Sequence, residues 1–261
     1  MRDVEEEVRG LLESVKARYS TPKGVAHYER GARDWGLAEW ERQMIQHFMR
    51  TPCSVLDVGC GAGRVSLELA RMGYIVTGID IAPALLDIAR KLAAERNLPI
   101  TFQSTDGRTL DFPNRSFDYV LLNQMIGHVP LRANRLGLLR ECRRVVSPTG
   151  RIVLSYDDQR IVKAEKLWGS DRPPDPRALQ EAAKYSFLEP GDVFRNPVRG
   201  RSAEGTLDED PVFGYEHQYT KEAIECDLKE AGLTILDHVR ATDLSGVPDD
   251  RSPCHIVAAV P

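Results

Sequence analysis

Apolar residues recur along this chain with two different periods. Val4, Val8, Leu11, Leu12 and Val15 fall on one face at helical spacing, which predicts a helix broken at Thr21-Pro22 and Gly24. Leu37, Trp40, Met44 and Phe48 form a second helical stripe. From position 54 the pattern alternates. SVLDVG is a short apolar run closing on glycines, as in a buried strand, and GRVSLELARMG is amphipathic and stops at Gly73. YIVTGID reads as the second strand, and Pro83 opens the helix PALLDIARKLAAERN at a position where a first turn tolerates proline. ITFQSTD, FDYVLLNQ and RIVLSYDD read as the third, fourth and fifth strands, with LRANRLGLLRECRRVV as a helix before the fifth. Strands alternating with helices of this length imply parallel pairing through crossovers, hence a doubly wound α/β sheet.

Residues 159–219 interrupt the rhythm. They are rich in proline (Pro173, Pro174, Pro176, Pro190, Pro197, Pro211) yet keep Trp168, Tyr185, Phe187, Phe194 and Phe213, which a linker would lack. The expectation is an ordered insertion with a short helix around 177–187. Residues 220–261 resume the core. Thr220 is placed to cap the helix TKEAIECDLKEAGL, Gly232 to end it, and TILDHVRAT and HIVAAVP read as an antiparallel strand pair at the sheet edge. The chain thus divides into an N-terminal helical cap (1–50), a core (51–158), the insertion (159–219) and the C-terminal part of the core (220–261).

Composition narrows the class. With 261 residues, 42% hydrophobic and 28% charged, the chain matches soluble globular proteins and can bury a full core. The net charge of -4 leans against a dedicated nucleic-acid binder. No apolar run is long enough for a membrane span, and the start of the chain lacks a signal-peptide core. Five scattered cysteines with no Cys-x-x-Cys pair point to reduced thiols, a cytoplasmic location and no zinc site.

The most specific signal is Asp57-Val58-Gly59-Cys60-Gly61-Ala62-Gly63, between the first strand and the first core helix. Glycines there let backbone approach a ligand, the helix N-terminus offers free N–H groups, and ligands of open parallel sheets sit at this edge. The dinucleotide fingerprint G-x-G-x-x-G/A would need a third small residue where this chain has Arg64 or Ser66. Asp57 would repel a pyrophosphate but suits an ammonium group.

The loop is similar to the D/E-x-G-x-G-x-G motif of the class I S-adenosylmethionine-dependent methyltransferases. The resemblance covers about 50–158 closely and 220–261 in outline. It implies a Rossmann-like seven-stranded sheet, mostly parallel with the last strand antiparallel. It also implies S-adenosyl-L-methionine as cofactor and S-adenosyl-L-homocysteine as product. Gly59, Cys60 and Gly61 would face the cofactor. Asp80, with Ile81 beside it, would take the ribose hydroxyls, and Asp106, backed by Gly107, the adenine amino group. Asn123 and Gln124 would line the methionine end.

Methyl transfer from a sulfonium needs alignment and exclusion of water, and a base only where the nucleophile must lose a proton. His128, after the fourth strand, and His217, where the insertion rejoins the core, are the base candidates. Tyr28, or Tyr19, is placed to hydrogen-bond the methionine carboxylate. Aromatics of the insertion suit a small apolar or planar acceptor, and Arg195, Arg199 and Arg201 suit an anionic group on it. GDVF at 191–194 resembles a segment of tRNA wobble-uridine methyltransferases, but the insertion is slightly acidic and would track phosphates poorly. The expected function is methyl transfer to a small organic acceptor, by a protein that could act as a homodimer. The rivals are an RNA methyltransferase and a cofactor-binding protein without transferase activity. His27, His47, His238 and His255 show no constellation, and no metal set is visible.

Overall fold

The structure, a computed structural model, describes residues 3–158, 180–195, 214–245 and 254–261. Helix α1 (Val4–Ser20) starts at Asp3, whose carboxylate accepts the Glu5 N–H. Thr21 ends it and at once caps α2 (Pro22–Arg30) by accepting the Gly24 N–H, with Pro22 in the first turn. The expected break is therefore a single-residue corner, and Gly24 lies inside the next helix. A wider turn at Gly31–Trp35 leads to α3 (Glu39–Phe48).

The core then runs β1 (Ser54–Val58), α4 (Arg64–Arg71), β2 (Ile75–Asp80), α5 (Pro83–Glu95), β3 (Thr101–Ser104), β4 (Phe117–Asn123), α6 (Arg132–Val145) and β5 (Val146–Asp157). After the short β6 (Asp192–Arg195) and β7 (Gly214–His217) come α7 (Lys221–Glu230), β8 (Thr234–Arg240), α8 (Ala241–Ser245) and β9 (Cys254–Val260). Seven strands form one sheet in the order β3-β2-β1-β4-β5-β9-β8. β1 to β5 pair in parallel, and β9 is antiparallel to both β5 and β8. The C-terminal strand pair is antiparallel as expected, with β9 slotted inside the sheet and β8 at the rim.

Alternate residues of the central strands feed two cores. Leu56, Val58, Val120, Leu122 and Leu154 pack with α6 and α7 residues such as Leu139 and Leu228, while Val55, Val76, Leu121 and Val153 pack with Met44, Phe48, Val65 and Leu69. Both faces are covered, so the strands read as continuous apolar runs, not alternating ones.

Two elements escape the sequence pattern. The five-residue α8 is too short to show a period, and its Ala241 is fully buried in the core that contains α3. β6 and β7 form a separate antiparallel pair within the insertion. Of the helix expected around 177–187, only a remnant at 180–182 lies within the described residues. Trp168, Phe213, Arg199, Arg201 and all the insertion prolines except Pro190 lie outside them.

The loop after β3 is pinned from α6. Arg144 donates to the carbonyls of Leu110 (2.6 Å) and Phe112 (2.7 Å), and Glu141 accepts the Leu110 N–H (2.9 Å). Arg144→Ala is expected to lower stability by about 1–2 kcal/mol, read by urea unfolding, because two carbonyls lose a charged donor.

Candidate functional site

The glycine loop folds across the end of β2. The N–H groups of Gly59 and Cys60 both donate to the Ile79 carbonyl, at 2.8 and 3.0 Å. Gly59 has a φ of 75°, and a Cβ on it would come within 2.9 Å of the Met125 Cβ, so both conformation and space demand glycine.

Asp80, at the end of β2, ties this loop down. One carboxylate oxygen accepts the Gly61 N–H and the other the Ala82 N–H, each at 2.8 Å. Only 8% exposed, it has its pKa raised by burial, which the backbone donors Ala82 and Gly61 offset in part. Each oxygen keeps a lone pair for a ligand. Asp57, 2% exposed on β1, accepts from the Ser66 hydroxyl at 2.5 Å. Burial pushes its pKa up to about 6 against the pull of Ser66 and Arg64, with Asp80 and Glu41 adding to the rise.

Glu41 is a site residue that the sequence reading missed. Helix α3 carries it, 1% exposed, where it accepts from both terminal nitrogens of Arg64 (2.5 and 2.6 Å), the first residue after the glycine loop. Glu41 also accepts from the Asn123 amide (2.7 Å) and the Ala38 N–H (2.7 Å). Asn123 in turn accepts from Ser155 (2.7 Å), so its amide is oriented from both ends. The only local hint is the helix-start spacing of Ala38 and Glu41. Gln124, at a φ of 54°, turns its side chain towards Asp157 (3.3 Å) and Cys254 (3.1 Å).

Beyond β3 a cleft of about 200 Å³ is lined by residues including Ile79, Ser104, Asp106, Leu110 and Phe112. One Asp106 oxygen closes a turn by accepting the N–H groups of Arg108 (2.8 Å) and Thr109 (3.1 Å). Gly107 has a φ of 76° and approaches Ile81. On the other side, Tyr28 and Tyr19 meet edge to face at 5.4 Å, and the Tyr28 ring lies beside Gly61. Burial raises both phenol pKa values, so both stay neutral. Ile81 packs on a cluster of Leu11, Val15, Tyr215, Tyr19, Phe187 and Phe194, which joins α1 and the β6–β7 pair over the end of β2.

Both candidate histidines lie at this closure. His128 ends the turn Ile126–His128, with Nδ1 at 3.2 Å from the Tyr215 carbonyl. A carbonyl only accepts, so that nitrogen carries the proton. His217 places Nδ1 at 2.8 Å from Asp192, which also accepts from the Tyr215 hydroxyl (2.8 Å) and the Glu189 N–H (2.8 Å). Asp192 and the supporting Arg135–Glu189 pair (2.7 Å) were not singled out from the sequence, because they meet only in the fold. His238 and His255, which show no constellation in the sequence, come together in the fold. His238 Nε2 meets the Tyr156 hydroxyl (2.9 Å) and His255 Nδ1 (3.4 Å), and His238 Nδ1 donates to Glu225 (2.8 Å). Among the described residues no group of three or more His, Cys, Asp or Glu is arranged to hold a metal. No helix among them is long and apolar enough to cross a membrane.

Residues 56–154 match a protein family described as a methyltransferase domain. The chain is similar to the ubiquinone biosynthesis O-methyltransferases of Coxiella burnetii, at 35% identity over 101 residues (39% of this chain, 42% of that one). It is also similar to that of Xanthomonas campestris pv. campestris, at 39% over 103 residues (39% and 41%). The match thus spans less than half the length of these curated relatives. Among solved structures, a SAM-dependent methyltransferase from Methanosarcina mazei superposes with a TM-score of 0.62 at 23% identity, covering 83% of this chain and 96% of that one. One from Clostridium acetobutylicum gives 0.64 at 15% identity, covering 91% and 97%. These two show the same fold.

A carboxyl whose pKa is raised on folding stabilises below its ordinary value and loses that contribution as pH rises. For Asp57 the loss falls between 3.8 and about 6. Asp57→Asn, which keeps an acceptor for Ser66, is expected to raise stability at pH 7.5 by about 1–3 kcal/mol. The stability difference between variant and wild type, read by urea unfolding, should shrink as pH falls through that window.

Proposed function

We propose that the protein, whose residues 56–154 match a methyltransferase domain, is a class I methyltransferase that moves the methyl group of S-adenosylmethionine to a small organic acceptor. One observation supports this reading best: Asp57 and Asp80 are both buried, and among the described residues neither has a Lys or Arg partner. The one guanidinium at the loop, Arg64, is held by Glu41. This edge of the sheet carries unbalanced negative charge. A unit cation about 5 Å from one such carboxylate gains about 3 kcal/mol at an effective dielectric near 20. A sulfonium donor with its ammonium group collects that gain, whereas a pyrophosphate would be repelled.

In this reading Asp80 accepts from the ribose hydroxyls with its spare lone pairs, and Asp57 faces the ammonium end. Asp106 and Gly107 frame the adenine at the cleft beyond β3. Gly59, Cys60 and Gly61 offer backbone to the donor, Ile81 packs against it, and Asn123 and Gln124 close its methionine side. Tyr28 supplies a neutral hydroxyl for the carboxylate. The donor brings an activated methyl, and these residues orient it and exclude water.

A small acceptor is supported by the slightly acidic insertion and by the α1 and β6–β7 cover over the site. The relatives' name, ubiquinone biosynthesis O-methyltransferase, points the same way.

Asp80→Ala should weaken donor binding more than tenfold by calorimetry, about 1.5–3 kcal/mol for a charge-assisted contact. Unchanged affinity would remove Asp80 from the ribose. Wild-type protein given methyl-labelled donor and a cell extract should label the small-molecule pool. Label in RNA, or donor binding with no label in any pool, would overturn the acceptor assignment.

A further inference from the structure

The two histidines beside the site differ in one physical respect. His128 hands its Nδ1 proton to a neutral carbonyl, which orients the ring and does little to steady a positive charge. His217 hands its Nδ1 proton to a buried carboxylate, with side-chain exposures of 7% and 1% for the pair. Burial alone would raise the Asp192 pKa, but the hydrogen bonds from His217, Glu189 and Tyr215 outweigh it and hold Asp192 below the usual carboxylate range. With Nδ1–H committed to Asp192, the tautomer is fixed and Nε2 presents its lone pair. Among the described residues that nitrogen makes no hydrogen bond.

The dyad is built into the cover of the site. The His217 carbonyl lies so close to Gly127 that a Cβ there would come within 2.6 Å, which seats β7 on the turn following β4. Gly191, at a φ of 108°, lets the chain pass against the imidazole, where a Cβ would lie 3.1 Å from its Cε1. The groups facing His217 are Asp192 from β6, Tyr215 on its own strand and the Tyr219 ring at 4.6 Å. Behind Asp192 stand Glu189 and Arg135 of α6, and across the turn His128. Among the described residues Asp192 is thus the one carboxylate bonded directly to the ring, while Arg135 is taken up by Glu189 (2.7 Å) and touches the Tyr215 hydroxyl at 3.4 Å.

We propose that His217 is the general base for a hydroxyl acceptor and that Asp192 is its positioning residue, an inference that rests on the transferase reading above. The acceptor O–H proton passes to His217 Nε2. The oxygen lone pair forms the new bond to the methyl carbon as the carbon–sulfur bond breaks, and that electron pair stays on sulfur as a neutral thioether. The imidazolium, steadied by Asp192, returns its proton to water as the products leave. An amine arriving as a free base, or a thiolate, needs no such base in the displacement. The arrangement therefore suits an acceptor that must give up a proton as it is methylated, and an alcohol or phenol is the class in which the attacking atom itself carries that proton.

The test uses donor isotopically labelled in the methyl carbon, the full chain and the small-molecule pool of a cell extract. The carbon shift of the transferred methyl separates O-, N-, C- and S-methyl products. An O-methyl signal is expected, and its absence, or a signal confined to the other classes, overturns the proposal. With the labelled pool as acceptor, His217→Asn should lower turnover by about 10²–10⁴-fold. Asp192→Asn should lower turnover at saturating acceptor at least about tenfold while leaving the apparent KM for the labelled pool within about twofold, a split that a merely structural role would not give. S-adenosylhomocysteine binding should stay within about twofold in both variants, which shows that they fold. Normal turnover in His217→Asn, or an unchanged kcat in Asp192→Asn, overturns the assignment. Failure of wild-type protein to bind S-adenosylhomocysteine would instead remove the donor reading beneath it.

Discussion

Two backbone N–H groups converge on the buried carboxylate of Asp80, and the whole ligand edge of the sheet is organised around that point. One donor belongs to the glycine loop after β1 and the other to the start of α5, so a single side chain joins two crossovers. Taking a carboxylate out of water is costly unless donors surround it, and here the donors are fixed by the fold. The acid is therefore held in place by the fold itself, at the expense of a raised pKa. Asp57 repeats the pattern one strand away, with a hydroxyl in place of backbone donors.

The charge at this edge is arranged with asymmetry. Glu41 and Arg64 cancel one another in a half-buried two-point contact, while among the described residues Asp57 and Asp80 have no Lys or Arg partner. Removing one member of such a pair leaves the other stranded, so α3 and the glycine loop depend on each other. This gives the N-terminal helices a structural part in the core, through Met44 and Phe48 below and Glu41 above.

Much of the fold was legible because local and global signals agree. The loop Asp57–Gly63, the strand ends at Asp80 and Asn123 and the helices between them all follow from short-range periodicity and glycine placement. What could not be read depends on distant residues meeting. Glu41 finds Asn123 across 82 positions and Asp192 finds His217 across 25, with no motif announcing either. Asp106 and Gln124 show a subtler limit. The sequence puts both at strand ends, whereas β3 stops at Ser104 and β4 at Asn123, and the turn closed by Asp106 and the sideways course of Gln124 are set by their neighbours in the fold. The α8 helix and the β6–β7 pair are simply too short to carry a period.

The buried group of Tyr156, His238, His255 and Glu225 acts on the geometry of the last strand. β9 reads HIVAAV after its first cysteine, a nearly uniform apolar run that would pack almost as well if it slid along its neighbours. A one-residue slide would throw His255 to the opposite face, and a two-residue slide would part it from Tyr156 and His238. The polar bonds are satisfied in one alignment only, so these side chains work as a dowel between three strands, fixing where the chain re-enters the sheet after β8.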